Sequence, residues 1–407
     1  MQAAPSHLTR NTRLFYAYGF FMDFALWAGV WIKYLIQDRG LELKWVLAMD
    51  LPFWLAVAAL QAPTGALADH IGRKRVMALA GLLFSATVLG FGFTQNYWML
   101  FADYMLWAVA MSMQSGADSA LIYDSLKEEG KEQRFQRVAG RGFAWRLVAS
   151  LLGVVLGGIA AGWVGLALVT QLGAIAPLLA VGVALLMREP AVVRKERKYW
   201  AGLKDGVSFA WNSKQVRYTL LIGSVLLAGT FGPVVLIQPF LIEHDVGTAL
   251  FGVYQAPLRL VTVVAALLAF RVAMRTGTTR LLLTACLGVV ASYGGLALFN
   301  TTPAFAFFAL SALMAGLTRP TIDAYLNDRI PSEKRATVLS IMQLCFALQV
   351  AFFEPALGFL ADDVSLTAAF AFAVAYFLVL MPPLLLLWRR ANGAGSAAGQ
   401  PAVAVSY

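Results

Sequence analysis

Charge is scarce in this chain. Asp, Glu, Lys and Arg make up 13% of its 407 residues, against 60% hydrophobic. A soluble domain of this length has no way to hide so much apolar surface, so a water-soluble globular class is excluded. Cysteine is nearly missing as well. Cys286 and Cys345 both lie in apolar runs, which removes a disulfide framework and a thiolate metal site. His7, His70 and His244 all fall away from the middle of any apolar run. There is no Gly-x-x-x-x-Gly-Lys-Ser/Thr loop and no soluble stretch large enough to bind ATP. No His/Cys/carboxylate cluster has metal-ligand spacing, and no Ser-His-Asp set is visible. The expectation is therefore no cofactor, no metal and no enzyme activity. Any work the protein does draws on an ion gradient or on the gradient of its own substrate.

What is present is a series of long apolar runs, each the length of a membrane helix. Twelve are read from the sequence, near residues 13–36, 45–68, 76–94, 98–124, 138–161 and 165–187, then 218–242, 249–271, 280–300, 303–326, 337–361 and 366–388. The first is too long for the apolar core of a signal peptide and no small-residue cleavage site follows it, so it reads as a retained helix. The expected fold is an all-α membrane protein with twelve transmembrane helices in two pseudo-symmetric six-helix bundles. Residues 1–187 form the first bundle, 188–217 a linker, 218–390 the second bundle and 391–407 a disordered Gly/Ala/Ser-rich tail. Within the linker, Trp200, Leu203, Val207 and Trp211 fall at helical spacing opposite Lys204, Asp205 and Ser208. That pattern predicts an amphipathic helix on the membrane surface.

An even number of spans puts both termini on one side. Of the 32 Lys and Arg, only Lys33, Arg39 and Lys44 fall on the opposite side, and only Arg141, Arg146, Arg259 and Arg319 fall inside spans. Such a bias marks the terminal side as cytoplasmic. The formal charge of +10 thus reflects topology and does not point to nucleic acid. The expected location is the inner (cell) membrane, crossed many times.

The stretch Gly65-Ala66-Leu67-Ala68-Asp69-His70-Ile71-Gly72-Arg73-Lys74-Arg75 links the second and third runs. Its spacing, G-x-x-x-D-x-x-G-R-K, resembles the signature loop between helices 2 and 3 of the major facilitator superfamily, with His70 where that family usually has Arg or Lys. The two halves also echo each other. Tyr123-Asp124-Ser125 after run 4 matches Tyr325-Leu326-Asn327-Asp328 after run 10, and the segment Arg271 to Arg280 keeps basic residues and Gly277 but no Asp. The resemblance implies parallel halves built from inverted three-helix repeats, working by alternating access about a central site. It further implies that Gly65, Asp69, Gly72, Arg73 and Asp124 form a conformational latch. There the loop Asp and Arg hold the halves together on the cytoplasmic side in the outward-facing state.

Ionisable groups inside spans cost about 2.5–3.5 kcal/mol on insertion scales and therefore need a reason. Asp23 lies about ten residues into helix 1, roughly 15 Å deep, on a face shared with Tyr16, Phe20, Trp27, Trp31 and Tyr34. A carboxylate beside aromatic rings suits a large, flat or cationic ligand, and burial makes the carboxyl a candidate proton carrier. The plainer reading pairs Asp23 with an arginine of the same bundle and leaves the aromatics in the core or facing lipid. Asp118, near the inner end of helix 4, is within reach of Arg141 or Arg146. Arg319 and Asp323 are four apart on helix 10 and pair on one face. Helices 1, 4, 7 and 10 line the cavity by the resemblance. Arg259 either holds an anionic substrate or neutralises a carboxylate. Glu354, before Pro355 in helix 11, is a second proton-site candidate, whereas Asp50 reads as solvated. Gly153, Gly157 and Gly158 are small residues that permit close helix contact. They resemble the antiporter motif of drug exporters without its proline. Asp103 stands on the outer part of helix 4, where many drug-transporting members carry an Arg.

The substrate and proton-coupling residues expected from this reading are Asp23, Trp27, Trp31, Asp118, Arg146, Arg319, Asp323 and Glu354. The function expected is proton-coupled export of small lipophilic or cationic compounds by a bacterial drug/proton antiporter. The alternative is an uptake symporter or facilitator for a small, anionic metabolite. Expected partners are that substrate, H⁺ or another coupling cation and the lipid bilayer, with no nucleic acid, and the protein acts as a monomer.

Overall fold

The computed structural model describes residues 7–114, 116–190 and 199–393. The predicted disordered tail beyond 393 and linker residues 191–198 lie outside these, as does the side chain of Trp200 and that of Leu203. Among the described residues every regular element is a helix. Helix 1 is His7–Asp23 followed by the short segments Leu26–Gly29, Trp31–Lys33 and Tyr34–Asp38. Helix 2 is Leu43–Ala48 with Asp50–Ile71, helix 3 is Arg73–Phe91, and helix 4 is Tyr97–Gln114 with Ala117–Glu128. Helix 5 is Phe135–Val164 and helix 6 is Leu166–Leu172 with Ile175–Leu186. A linker helix, Tyr199–Asn212, precedes helix 7, Lys214–Glu243. Helices 8 to 12 are Phe251–Thr276, Thr278–Leu298, Phe308–Arg329, Ser332–Asp363 and Leu366–Gly393.

Ten of these helices are long and apolar enough to cross a membrane, and the bent pair Arg10–Gly29 and Trp31–Asp38 adds an eleventh. Helix 4 falls short of that standard. It carries Asp103 and Gln114 and is interrupted near Gly116, whose φ of 83° is a conformation glycine adopts freely. Outward-facing Leu267, Leu287 and Val379 are exposed, as lipid-facing side chains are. Helix 7 is 83% buried over its apolar window and helix 8 only 17%, which sets the first at the centre and the second at the periphery. The turns between helices 2 and 3 and between helices 8 and 9 match: Gly72 and Gly277 have φ of 95° and 79°. The internal echo read from the sequence is thus a repeat in backbone geometry, although only the first turn keeps its Asp.

Helix 1 is broken where the sequence predicts a continuous run. Ala25 is extended and Val30 leaves the helical region. Helix 5 makes room for the break. A Cβ on Gly153 would sit 2.7 Å from the Ala25 nitrogen, and one on Gly157 would fall onto the Leu26 carbonyl. In a membrane the freed backbone groups need partners. Two glutamines from the second half supply them. Gln238 accepts from the Ile32 and Lys33 amides at 3.0 and 3.1 Å and donates to the Ala28 carbonyl at 3.2 Å. Gln255 donates to the Gly29 carbonyl at 2.8 Å.

The two halves meet mainly on the side away from the termini. There Gly158 faces Gly252, with 2.7 Å from a built Cβ to the Gly252 nitrogen, and Gly358 packs on Leu43 and Lys44. The Lys44 ammonium pairs with Asp363 at 2.8 Å and its amide donates to Asp362 at 2.7 Å. Lys33, expected on the side opposite the termini, is buried there with its ammonium 4.4 Å from the Phe251 ring centre. The far side is therefore shut. The linker helix packs Gly206 and Ala210 inward, with Gly206 against Thr337 of helix 11, and leaves Val207 and Trp211 exposed.

Candidate functional site

Helix 1 ends its first segment on Asp23, and helix 4 restarts after Gly116 with Asp118 in its first turn. Helix 5 brings Arg146 between them. Its Nη1 donates to Asp23 Oδ2 at 3.1 Å and its Nη2 to Asp118 Oδ2. One planar guanidinium fork thus serves two carboxylates from two helices, a geometry lysine does not match. Gly19, one turn before Asp23, lets Arg146 lie across helix 1, since a Cβ there would come 2.8 Å from Nε. The Asp118 side chain is 10% exposed and that of Asp23 36%, so Asp23 is the member of the trio open to exchange. Arg141 does not join this group; it lies beside Tyr16.

The trio lines a cavity of about 620 Å³, with Gln114, Phe143, Leu147 and Ser150. Phe143, Leu147 and Ser150 also line a second chamber of about 850 Å³, walled by helices 5, 7, 8 and 10. The two spaces therefore share a wall on helix 5. At that wall Arg259 donates to Ser150 Oγ at 2.5 Å. No ion pair involves Arg259 among the described residues, so it places a cation in a chamber otherwise walled largely by Leu, Val, Phe and Ala. Phe143, Val234, Leu260 and Leu267 at the margins are exposed, which leaves the chamber accessible from its apolar edge.

The remaining predicted residues divide. Arg319 lines the chamber and pairs with Asp323 at 3.1 Å along helix 10, and both are well exposed. Trp27 and Trp31 do not share a face with Asp23, contrary to the sequence reading. The break at residues 24–30 takes them out of register. Trp27 stacks edge-on with Trp107 at 5.5 Å inside the first half, and Trp31 packs into the far-side core. Tyr34 likewise is buried, bonding Gly92 and Arg39. Glu354 lines neither cavity; it is buried between helices 11 and 2 facing Asp50. Asp50, expected to be solvated, is itself buried. A helical-wheel argument sees only its own helix, and here helix 11 covers the position.

At the signature loop Gly65 and Asp69 are exposed, Asp69 engaged with neighbouring groups, and Gly72 makes the turn. Arg73 pairs with Asp124 at 2.5 Å. The Glu189 carboxylate, just after helix 6, accepts from the Arg73 and Lys74 amides at 2.8 Å each and so caps helix 3 at its positive end. These partners of Arg73 belong to the first half. Glu189, Gln238, Gln255 and Ser150 were all missed in the sequence. Amides inside apolar runs were the available signal for the glutamines; a carboxylate at the end of a span on the basic side was the signal for Glu189.

Comparison with known proteins agrees with this architecture. The family description Major Facilitator Superfamily matches residues 14–353. No curated protein matches the chain. Among solved structures, a mutant of the nucleoside transporter NupG superposes with a TM-score of 0.76 at 12% identity, over 93% of this chain and 100% of that one. A bacterial homolog of the human lysosomal transporter Spinster, in an inward-facing and unoccupied conformation, gives 0.72 at 16% identity, over 98% of each chain. Its inward-facing and occupied form gives 0.73 at 16%, over 97% of this chain and 98% of that one. With its helical bundle, its matched turns at Gly72 and Gly277 and a family match across most of its length, this chain belongs to the Major Facilitator Superfamily of multi-pass membrane transporters.

Proposed function

We propose that this protein is a proton-coupled secondary active transporter that exports small lipophilic compounds by alternating access. It sits in the inner (cell) membrane with both termini in the cytoplasm, and works as a monomer. The observation that carries the reading is the shared guanidinium: two carboxylates, Asp23 and Asp118, depend on the single Arg146 beside an apolar chamber. With both carboxylates ionised the trio carries one net negative charge in a poorly solvated place. A proton on the more exposed Asp23 makes it neutral. Charge neutralisation lowers the cost of occluding the site, which is how a proton gradient is tied to the movement of the halves. The chamber's hydrocarbon walls and exposed apolar margins suit a lipophilic guest that arrives from the bilayer. The cationic part of the sequence reading loses support, because Trp27 and Trp31 are packed away and the carboxylates already have a cation.

A second reading has its own observation. Arg259 lines the chamber with a hydroxyl as its partner, and a guanidinium so placed suits a carboxylate or phosphate on the substrate. That favours uptake of a small anionic metabolite. Reconstitution in liposomes with an imposed pH gradient separates the two. Lipophilic compounds moved against their gradient by wild type, with coupling abolished in Asp23→Asn and binding retained, is the expected result. Anion movement that needs Arg259 and ignores Asp23 replaces the first reading with the second.

A further inference from the structure

Glu354 is fully buried, and neither of its carboxyl oxygens has a hydrogen-bond partner. It faces Asp50, which is 9% exposed and comes from helix 2 of the other half. The groups acting electrostatically on the two carboxyls are each other; both act on Tyr104 of helix 4, and Glu354 acts on Tyr293 of helix 9. Asp103 of helix 4 also acts on Tyr104. Among the described residues no Lys, Arg or His acts on the pair; Lys44, the nearest cation along helix 2, is engaged with Glu42 and Asp363 at the surface. The Tyr293 hydroxyl beside it is likewise buried without a partner.

Two carboxylates are both acceptors and form no hydrogen bond with each other. One proton between them makes a charge-assisted bond and removes one of two like charges from a low-dielectric place. The setting gives that bond a mechanical meaning. Asp50 opens the second segment of helix 2, just past its break at Met49. The pair lies between the surface clamp of Lys44 with Asp362 and Asp363 and the packed rings of Trp54, Phe231 and Phe346. All of these join the first half to the second on the shut far side.

We propose that Asp50 and Glu354 form a proton-binding gate: one shared proton holds the far side of the transporter closed, and its loss drives helices 2 and 11 apart. Closing the far side takes up one proton, so the closed-to-open ratio falls as pH rises, by up to about tenfold per pH unit for one linked proton. The gate is distinct from the Asp23 trio, which sits beside the cavity on the other side of the shut contact. The proposal deepens the proton-coupled reading and rests on it for the role of the gradient, but its test reads conformation with no substrate present. A silent transport assay therefore leaves the gate standing, and a rigid gate leaves transport through Asp23 standing.

The test is a spin-label distance measurement across the far side, on the full chain in lipid. Labels go on Gln95→Cys and Thr301→Cys, both exposed in loops of different halves, in a background with Cys286→Ala and Cys345→Ala. From about pH 5 to about pH 9 the wild-type background is expected to shift from a short to a longer distance. Glu354→Gln puts a permanent N–H donor opposite Asp50, and Asp50→Asn does the reverse; each is expected to hold the short distance at every pH. A wild-type distance that ignores pH overturns the proposal. So does a pH response that survives in both variants, or a response to Na⁺ at constant pH that replaces the response to protons.

Discussion

Asp23 and Glu354 are carboxylates placed within spans of the same molecule, and they live under opposite rules. Asp23 lies beside the cavity with Arg146 within 3.1 Å and keeps a third of its side chain open. Glu354 is sealed between the halves with another acid as its neighbour and no cation. The first is a charge that the protein has arranged to tolerate. The second is tolerated through a proton. A carboxylate in a membrane span therefore has no fixed meaning; its meaning is set by whether a guanidinium or a second carboxyl stands opposite.

The comparison breaks most violently if Asp23 is given the surroundings of Glu354. Arg146→Ala leaves Asp23 and Asp118 facing each other without a cation. Removing one partner of a buried ion pair costs about 3–5 kcal/mol, and the solvent access of Asp23 puts the expected loss at the low end. Thermal melting in detergent should drop sharply at neutral pH and recover in part as the pH falls and the carboxyls take up protons. A melting point that does not move means that Arg146 is not what supports the two acids.

The converse change gives Glu354 the surroundings of Asp23. Asp50→Lys places an ammonium opposite Glu354 and makes the far-side contact an ion pair. Transport should fall to background while the melting temperature is kept, and the far-side distance should stay short at every pH. The smallest effect is expected at Arg319. Its pair with Asp323 is exposed and lies along one helix, so Arg319→Ala should change stability by no more than about 0.5 kcal/mol. A change in substrate preference at unaltered stability would sharpen the chamber assignment, because Arg319 lines that chamber.

Much of this was readable beforehand. Apolar runs gave the helices, because a membrane helix must be apolar along most of its length. Depth put Asp118 within reach of Arg141 or Arg146, and the structure selects Arg146. The pairing of Asp23 with an arginine of its own bundle was the plainer of its two readings, and Arg73 with Asp124 came from the family resemblance. What escaped depended on departures from regular helices or on the partner half. A period of 3.6 residues assumes an unbroken helix, so it placed Trp27 and Trp31 beside Asp23; the glycines of helix 5 allow a break that moves them. The burial of Asp50 is produced by helix 11, about 300 residues away in sequence. Glu189 reaches helix 3 by the same kind of long-range return.

The break in helix 1 has a mechanical consequence. Its first segment, His7–Asp23, is packed on helices 5 and 6 of the first half, while Ala28, Gly29, Ile32 and Lys33 are stitched to Gln238 and Gln255 of the second. One covalent strand is thus anchored in both rigid bodies, like a strap sewn to two plates. The plates cannot slide past one another without flexing the strap between its anchor points. Any rocking of the halves is converted there into torsion of the residues between Asp23 and Ala28, and the carboxylate rides on the edge of that flexing joint.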